Sequence, residues 1–154
     1  MTEYRIEKFH NSHLDLIFPR EQEKELLRTI PNFKTMAAQL HHHPGVTAFA
    51  NDIALVSAGI VIPWAGLGEA WMYCSPEIMN HKIWFVRAVR AGFQTMIEKF
   101  RLRRVQALID ATFTMNTRWA KFLGFEYEGS LPYYGPEGET FYRYVLLTGL
   151  RSTS

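Results

Sequence analysis

Residues 69–104 leave this chain few ways to fold. They read as a strand (GEAWMYC, from residue 68), a short polar stretch (SPEIMNHK), and a long run that ends in the basic corner RLRR. Within residues 82–100, Val86, Val89, Phe93, Met96, Ile97 and Phe100 recur with the period of a helix, and Arg87, Arg90, Gln94 and Glu98 fall on the opposite side. A helix striped in this way needs an apolar surface beneath it. A second strand follows over residues 105–109. Two strands joined by a crossover helix lie parallel, and the connection is right-handed. The turn that feeds the first strand into the helix is the first place to look for a bound ligand.

With 154 residues, 47% hydrophobic and 14% aromatic, the chain can bury a real core, and residues 1–150 are expected to form one domain with 151–154 as a frayed tail. A net charge of +2 gives no reason to expect a nucleic-acid partner. Lys99, Arg101, Arg103 and Arg104 cluster, as a solvated helix end favoured by the dipole or as a patch for an anion. Cys74 is the only cysteine, which excludes an intrachain disulfide and suggests a reducing compartment. In its apolar strand it reads as an inert thiol. The N-terminus carries charge and no hydrophobic run, and no apolar stretch reaches the roughly 18 residues of a membrane helix. A cytoplasmic monomer or homodimer, with no membrane partner, is the expectation.

Along the chain, Tyr4, Ile6 and Phe9 suggest a first strand, and Ser12 with Asp15 suggests a helix cap. Leu14, Ile17 and Phe18 form an apolar stripe. Residues 21–30 are strongly helix-forming up to Pro31, and Phe33, Met36, Ala37 and Leu40 give a second stripe. His41, His42 and His43 are adjacent, which suits a helix end better than convergence on a metal, so no metal site is expected. Residues 46–50 and 53–62 form a hairpin around Asn51-Asp52, and residues 63–68 (PWAGLG) read as a loop. Beyond residue 110 a helix carries Trp119, Phe122 and Leu123 on one face and stops at Gly124. Strands over residues 125–128 and 141–147 flank an exposed loop at 129–140.

This order of elements, with Lys121-Phe122-Leu123-Gly124-Phe125 closing the penultimate helix, resembles the GNAT superfamily of N-acyltransferases over most of the chain. The resemblance implies an α/β fold with a mixed sheet of six or seven strands, a splayed central pair and helices on both faces. It implies acetyl-CoA as cosubstrate and an amine of a small molecule or protein as acceptor. Carried onto this sequence, Met72, Tyr73 and Cys74 fall on the strand that holds the pantetheine arm. Met79, Asn80, His81 and Lys82 fall on the turn that wraps the pyrophosphate, and Arg118 is placed to meet the phosphates. The orphan amides of a helix start suit an anion. Two positions depart from the family pattern: SPEIMNHK has no glycine, and Ala120 stands where a tyrosine often serves as general acid. Ser75-Pro76-Glu77 reads instead as an ordinary capped helix start.

Acyl transfer to an amine needs a base near the nucleophile and an acid near the leaving thiolate. Glu69, at the start of the central strand, is the candidate base, or else an exposed acid beside Gly68. Tyr127 is the candidate acid, with Tyr133 and Tyr134 on the loop as further phenols. Asp110 ends a strand where ligand sites of α/β folds form, or caps the turn at Thr112. The glycine-poor turn, the arginines Arg87 and Arg90 and the aromatic-rich sheet also resemble GNAT-like proteins of tailed bacteriophages. That resemblance implies an alternative: a catalytically inert virion or host-targeting binding protein, located in the host cytoplasm or the virion.

Overall fold

A computed structural model describes residues 1–17 and 38–150. The helix expected over 21–30, the positions Phe18, Phe33, Met36 and Ala37, and the tail 151–154 lie outside the described residues. The elements run β1 (Tyr4–Lys8), α1 (His13–Ile17), β2 (Gly45–Ala50), β3 (Ile53–Trp64), β4 (Leu67–Cys74), a 3-10 helix (Pro76–His81), α2 (Lys82–Phe100), β5 (Arg104–Asp110), α3 (Thr114–Phe122), β6 (Glu126–Leu131) and β7 (Phe141–Leu147). The seven strands form one mixed sheet in the order β1-β2-β3-β4-β5-β7-β6, as the α/β reading requires. Among the described residues no helix is long and apolar enough to cross a membrane. The chain divides into two compact units, Met1–Val61 with Trp71–Ala88 and Ile62–Ala70 with Val89–Ser154.

In the first unit, β1 pairs antiparallel with β2, and β2 with β3 across a turn in which Asn51 takes φ 52°. Asparagine tolerates that left-handed conformation, so the Asn51-Asp52 hairpin forms where the sequence places it. Strand β3 is buried almost continuously from Ala54 to Ile60, the mark of a strand covered on both faces. Ile17, Phe49 and Ala54 form a cluster against which Tyr73 packs. Trp71 lies over glycines: a Cβ on Gly59 would sit 2.9 Å from the indole and 2.5 Å from the Pro44 carbonyl oxygen. The helix cap expected at Ser12 is replaced by a local histidine turn. His10 Nδ1 accepts the Ser12 amide at 3.1 Å, the amide that a capping box would have given to Asp15. The first core residue of α2 is Phe85, fully buried, rather than Val86, which is half-buried. Phe85, Val89 and Phe93 step by four, so the buried stripe starts one residue earlier than the apolar residues suggest.

In the second unit, Val89, Phe93, Met96 and Ile97 continue that stripe, while Phe100, the last residue of α2, is exposed under the Lys99 ammonium. The expected loop at 63–68 is a two-residue turn, because β3 runs to Trp64 and β4 starts at Leu67. Gly66 provides the positive φ of 92°, and its carbonyl accepts the amides of both Arg103 and Arg104. Strands β4 and β5 are parallel over Leu67–Glu69 and Arg104–Gln106. On α3 the buried residues are Trp119 and Ala120, and Phe122 is 61% exposed. Phe122 lies on the far flank of Trp119 from Ala120 and Leu123, which moves it off the buried face. Gly124 ends the helix at φ 94°, with its amide on the Lys121 carbonyl, as its position predicts.

Candidate functional site

Glu69 sits where the parallel ladder ends, half-buried, and its Oε1 accepts from Gln106 Nε2 at 3.1 Å. Gln106 Oε1 in turn accepts from Arg104 Nε at 3.2 Å. The Arg104 guanidinium grips both oxygens of Glu128, and Arg143 Nε reaches Glu128 Oε1 at 2.7 Å. A charge-assisted fork of this kind is strong and directional. Hydrogen bonds from Arg104, then those from Arg143, hold the Glu128 carboxyl down at about 2. The network crosses β4, β5, β7 and β6 on one face, since Gln106 faces Val145 in the β5–β7 ladder and Leu108 faces Arg143. Arg104 and Gln106 alternate with Val105 and Ala107 in the sequence RVQALID, a period-two signal of a polar face that names these residues but not their partners.

Tyr127 lies on the other face. It stands directly opposite Tyr144 in the β6–β7 ladder, next to the Val145 that shares a face with Gln106 and Glu69. Its ring makes edge contacts with Tyr142 at 5.5 Å and Tyr144 at 5.9 Å. The fold therefore does not bring the two catalytic candidates together: strand alternation sends Glu69 and Tyr127 to opposite sides of the sheet. Tyr133 projects into solvent, 88% exposed, and Tyr134 packs beside Phe141. Asp110 is a turn residue: its carboxylate accepts the Thr112 amide at 2.9 Å and the Thr112 hydroxyl at 2.7 Å. Arg118 is exposed on α3, and Ala120 is buried.

The remaining candidates lie in the first unit. Strand alternation puts Tyr73 on the side of the Ile17–Phe49–Ala54 cluster and Met72 and Cys74 on the other. Burial pushes the Tyr73 phenol and the Cys74 thiol each up to about 12, so Cys74 is no nucleophile near neutral pH. Ser75 caps the next element with its hydroxyl on the Glu77 amide at 3.2 Å, and Pro76 takes the first helical position, as its sequence predicts. The element it starts is a 3-10 helix that runs directly into α2. Such a helix turns its amides back onto carbonyls three residues earlier. At its end, His81 Nδ1 is hydrogen-bonded to the Tyr4 hydroxyl at 2.8 Å, and the Tyr4 ring stacks on Trp84 with centroids 4.1 Å apart. Met79, Asn80 and Lys82 are exposed. Tyr4 and Trp84 had no motif to mark them; only the fold brings them to this turn.

A histidine group closes the other end of this unit. His13 Nδ1 accepts the His10 amide at 3.1 Å and lies 2.8 Å from the Thr47 hydroxyl, which is 2.8 Å from that of Ser57. An unprotonated Nδ1 satisfies the whole chain, Ser57 donating to Thr47 and Thr47 to His13. Burial lowers the His13 pKa and so favours that neutral ring. Among the described residues no group of histidines, cysteines and acids could hold a metal ion.

No protein-family model matches the sequence, and no curated protein matches it. Solved structures do. A GNAT-family acetyltransferase from Bacillus anthracis superposes with a TM-score of 0.72 at 16% identity, covering 96% of each chain. The chain has the fold of the GNAT acetyltransferases. The ribosomal-protein-S5-alanine acetyltransferase from Vibrio fischeri gives 0.71 at 14% identity over 99% of this chain and 100% of its own. A Salmonella typhimurium protein described as an acetyltransferase, with its cofactor acetyl-CoA, gives 0.66 at 15% identity over 97% and 96%. These are bacterial proteins, which lends a bacteriophage origin no support.

Proposed function

We propose that this protein is an acetyl-CoA-dependent N-acetyltransferase whose acceptor is an amine, with Glu69 as the general base. The observation that carries the reading is the end-to-end likeness to acetyltransferases, joined to a half-buried carboxylate tied at one oxygen where the parallel ladder stops. When bound, acetyl-CoA supplies the acetyl group as a thioester. Glu69, with Gln106 on Oε1, takes a proton from the acceptor ammonium and leaves a neutral amine as nucleophile. Cys74, held protonated by burial, does not carry the acyl group itself.

Met72, Tyr73 and Cys74 are the strand residues that would lie along the pantetheine arm. The glycine-free turn fits the pyrophosphate through side chains rather than amides: its 3-10 helix uses its own N–H groups, so His81 and Lys82 are the groups left to meet negative charge. Met79 and Asn80 would border it. Tyr127, turned to the opposite face from Glu69, is set aside as the acid. The test is acetyl-CoA turnover against a panel of small amines and an alanine-terminated peptide. Glu69→Gln should lower kcat/KM by about 10²–10⁴ with folding unchanged, and Tyr127→Phe should leave it near wild type. Wild-type turnover by Glu69→Gln would remove the base. No turnover with any acceptor, and no binding of CoA, would leave a GNAT-shaped binding protein in its place.

A further inference from the structure

The hydrogen bonds around Glu69 have only one possible direction. A guanidinium has donors and no acceptor, so the oxygen of Gln106 must be the atom facing Arg104. Its NH₂ group then necessarily faces Glu69 Oε1. An amide usually has two orientations to choose between; here Arg104 chooses. Arg104 cannot swing away cheaply, because its fork is closed on both oxygens of Glu128, which Arg143 also holds. The order of donation is thus fixed across four strands: Arg143 and Arg104 to Glu128, Arg104 to Gln106, Gln106 to Glu69. The last donor falls on one carboxylate oxygen, Oε1, and leaves Oε2 for an incoming group.

We infer that Gln106 is a positioning residue for acetyl transfer, oriented by Arg104, which ties down one oxygen of Glu69 and presents the other to the acceptor amine. This rests on the reading of Glu69 as the base. A donor on a carboxylate favours its charged form, so losing the donor should weaken the base in the acid range.

Two measurements test it. In Gln106→Met, similar in size but without a donor, kcat/KM should fall about tenfold and the acid limb of its pH profile should move up. Gln106→Glu keeps an oxygen towards Arg104 but sets a second carboxylate against Glu69, and should move the limb further. Arg143→Gln, at the far end of the network, should leave the limb in place. Independently of turnover, the Gln106 side-chain amide resonances should move on acidification to about pH 3, and that movement should vanish in Glu69→Gln. An unmoved rate and limb in Gln106→Met, with Glu69→Gln inactive, overturns this inference and spares the base. Amide resonances that respond alike in wild type and Glu69→Gln overturn it too. Full turnover by Glu69→Gln, or none by wild type, overturns the base and this role together.

Discussion

The two turns that lead from a parallel strand into a helix are built in opposite ways. After β4, Ser75 caps a 3-10 helix anchored by buried Ile78, and the turn ends in His81 and Lys82 above the fully buried Phe85. After β5, Asp110 folds its carboxylate onto Thr112, and Phe113, Thr114, Met115 and Asn116 are all exposed. The first is anchored and carries the acid Glu77 at its start and the cation Lys82 where it joins the long helix; the second is shallow and fronted by an acid. Equivalent places in a strand–helix topology can therefore differ in how they are held and in the charges they present.

The anchoring gives the largest expected difference. Phe85→Ala should lower stability by about 3–5 kcal/mol, whereas Phe113→Ala should stay within about 0.5 kcal/mol. Similar losses in urea titrations of the two variants would erase the contrast. Ligand binding comes next. CoA at a hundred times its dissociation constant should raise stability by about 2.7 kcal/mol. Lys82→Glu should remove most of that, and Arg118→Glu, on the helix of the second turn, much less. Equal losses in thermal shift would mean that general charge, not the first turn, attracts the ligand. Capping is smaller: Ser75→Ala should cost about 1 kcal/mol, and Thr112→Ala, which keeps the backbone amide on Asp110, about half of that or less.

The two units should also part company in acid. His13 has its pKa lowered in the fold, so its contribution is whole above the unfolded value of 6.5 and declines as pH falls through and below it. Glu128, lowered from 4.5 to about 2, keeps its contribution until pH falls below 4.5 and loses it towards 2. Stability measured against pH should fall first relative to His13→Gln and only later relative to Glu128→Gln. A single common drop would tell against both assignments.

Much of this could be read from the residues alone, and the misses share a cause. The hairpin at Asn51-Asp52, the Ser75-Pro76 start, the Gly124 stop and the long helix follow from local chemistry, which acts within a few residues. Phe85 against Val86 and Ala120 against Phe122 were missed because a helical stripe fixes a direction only to within one residue; the neighbouring surface decides the rest. The Glu69–Gln106–Arg104–Glu128–Arg143 network joins residues from four strands, and no spacing along the chain encodes it. Glu69 and Tyr127 look like partners in a sequence. Only the strand register shows that they face apart.

The state of Cys74 has a use at the bench. A thiol held at about 12 is ionised in only roughly one molecule in 10⁵ at neutral pH, and thiol reagents react with the thiolate. In the proposed reaction, the coenzyme A released would carry an ordinary, accessible thiol. A chromogenic thiol reagent added to a running reaction would therefore colour with product while the folded protein stays silent. A sudden rise by one equivalent per chain would report unfolding rather than catalysis.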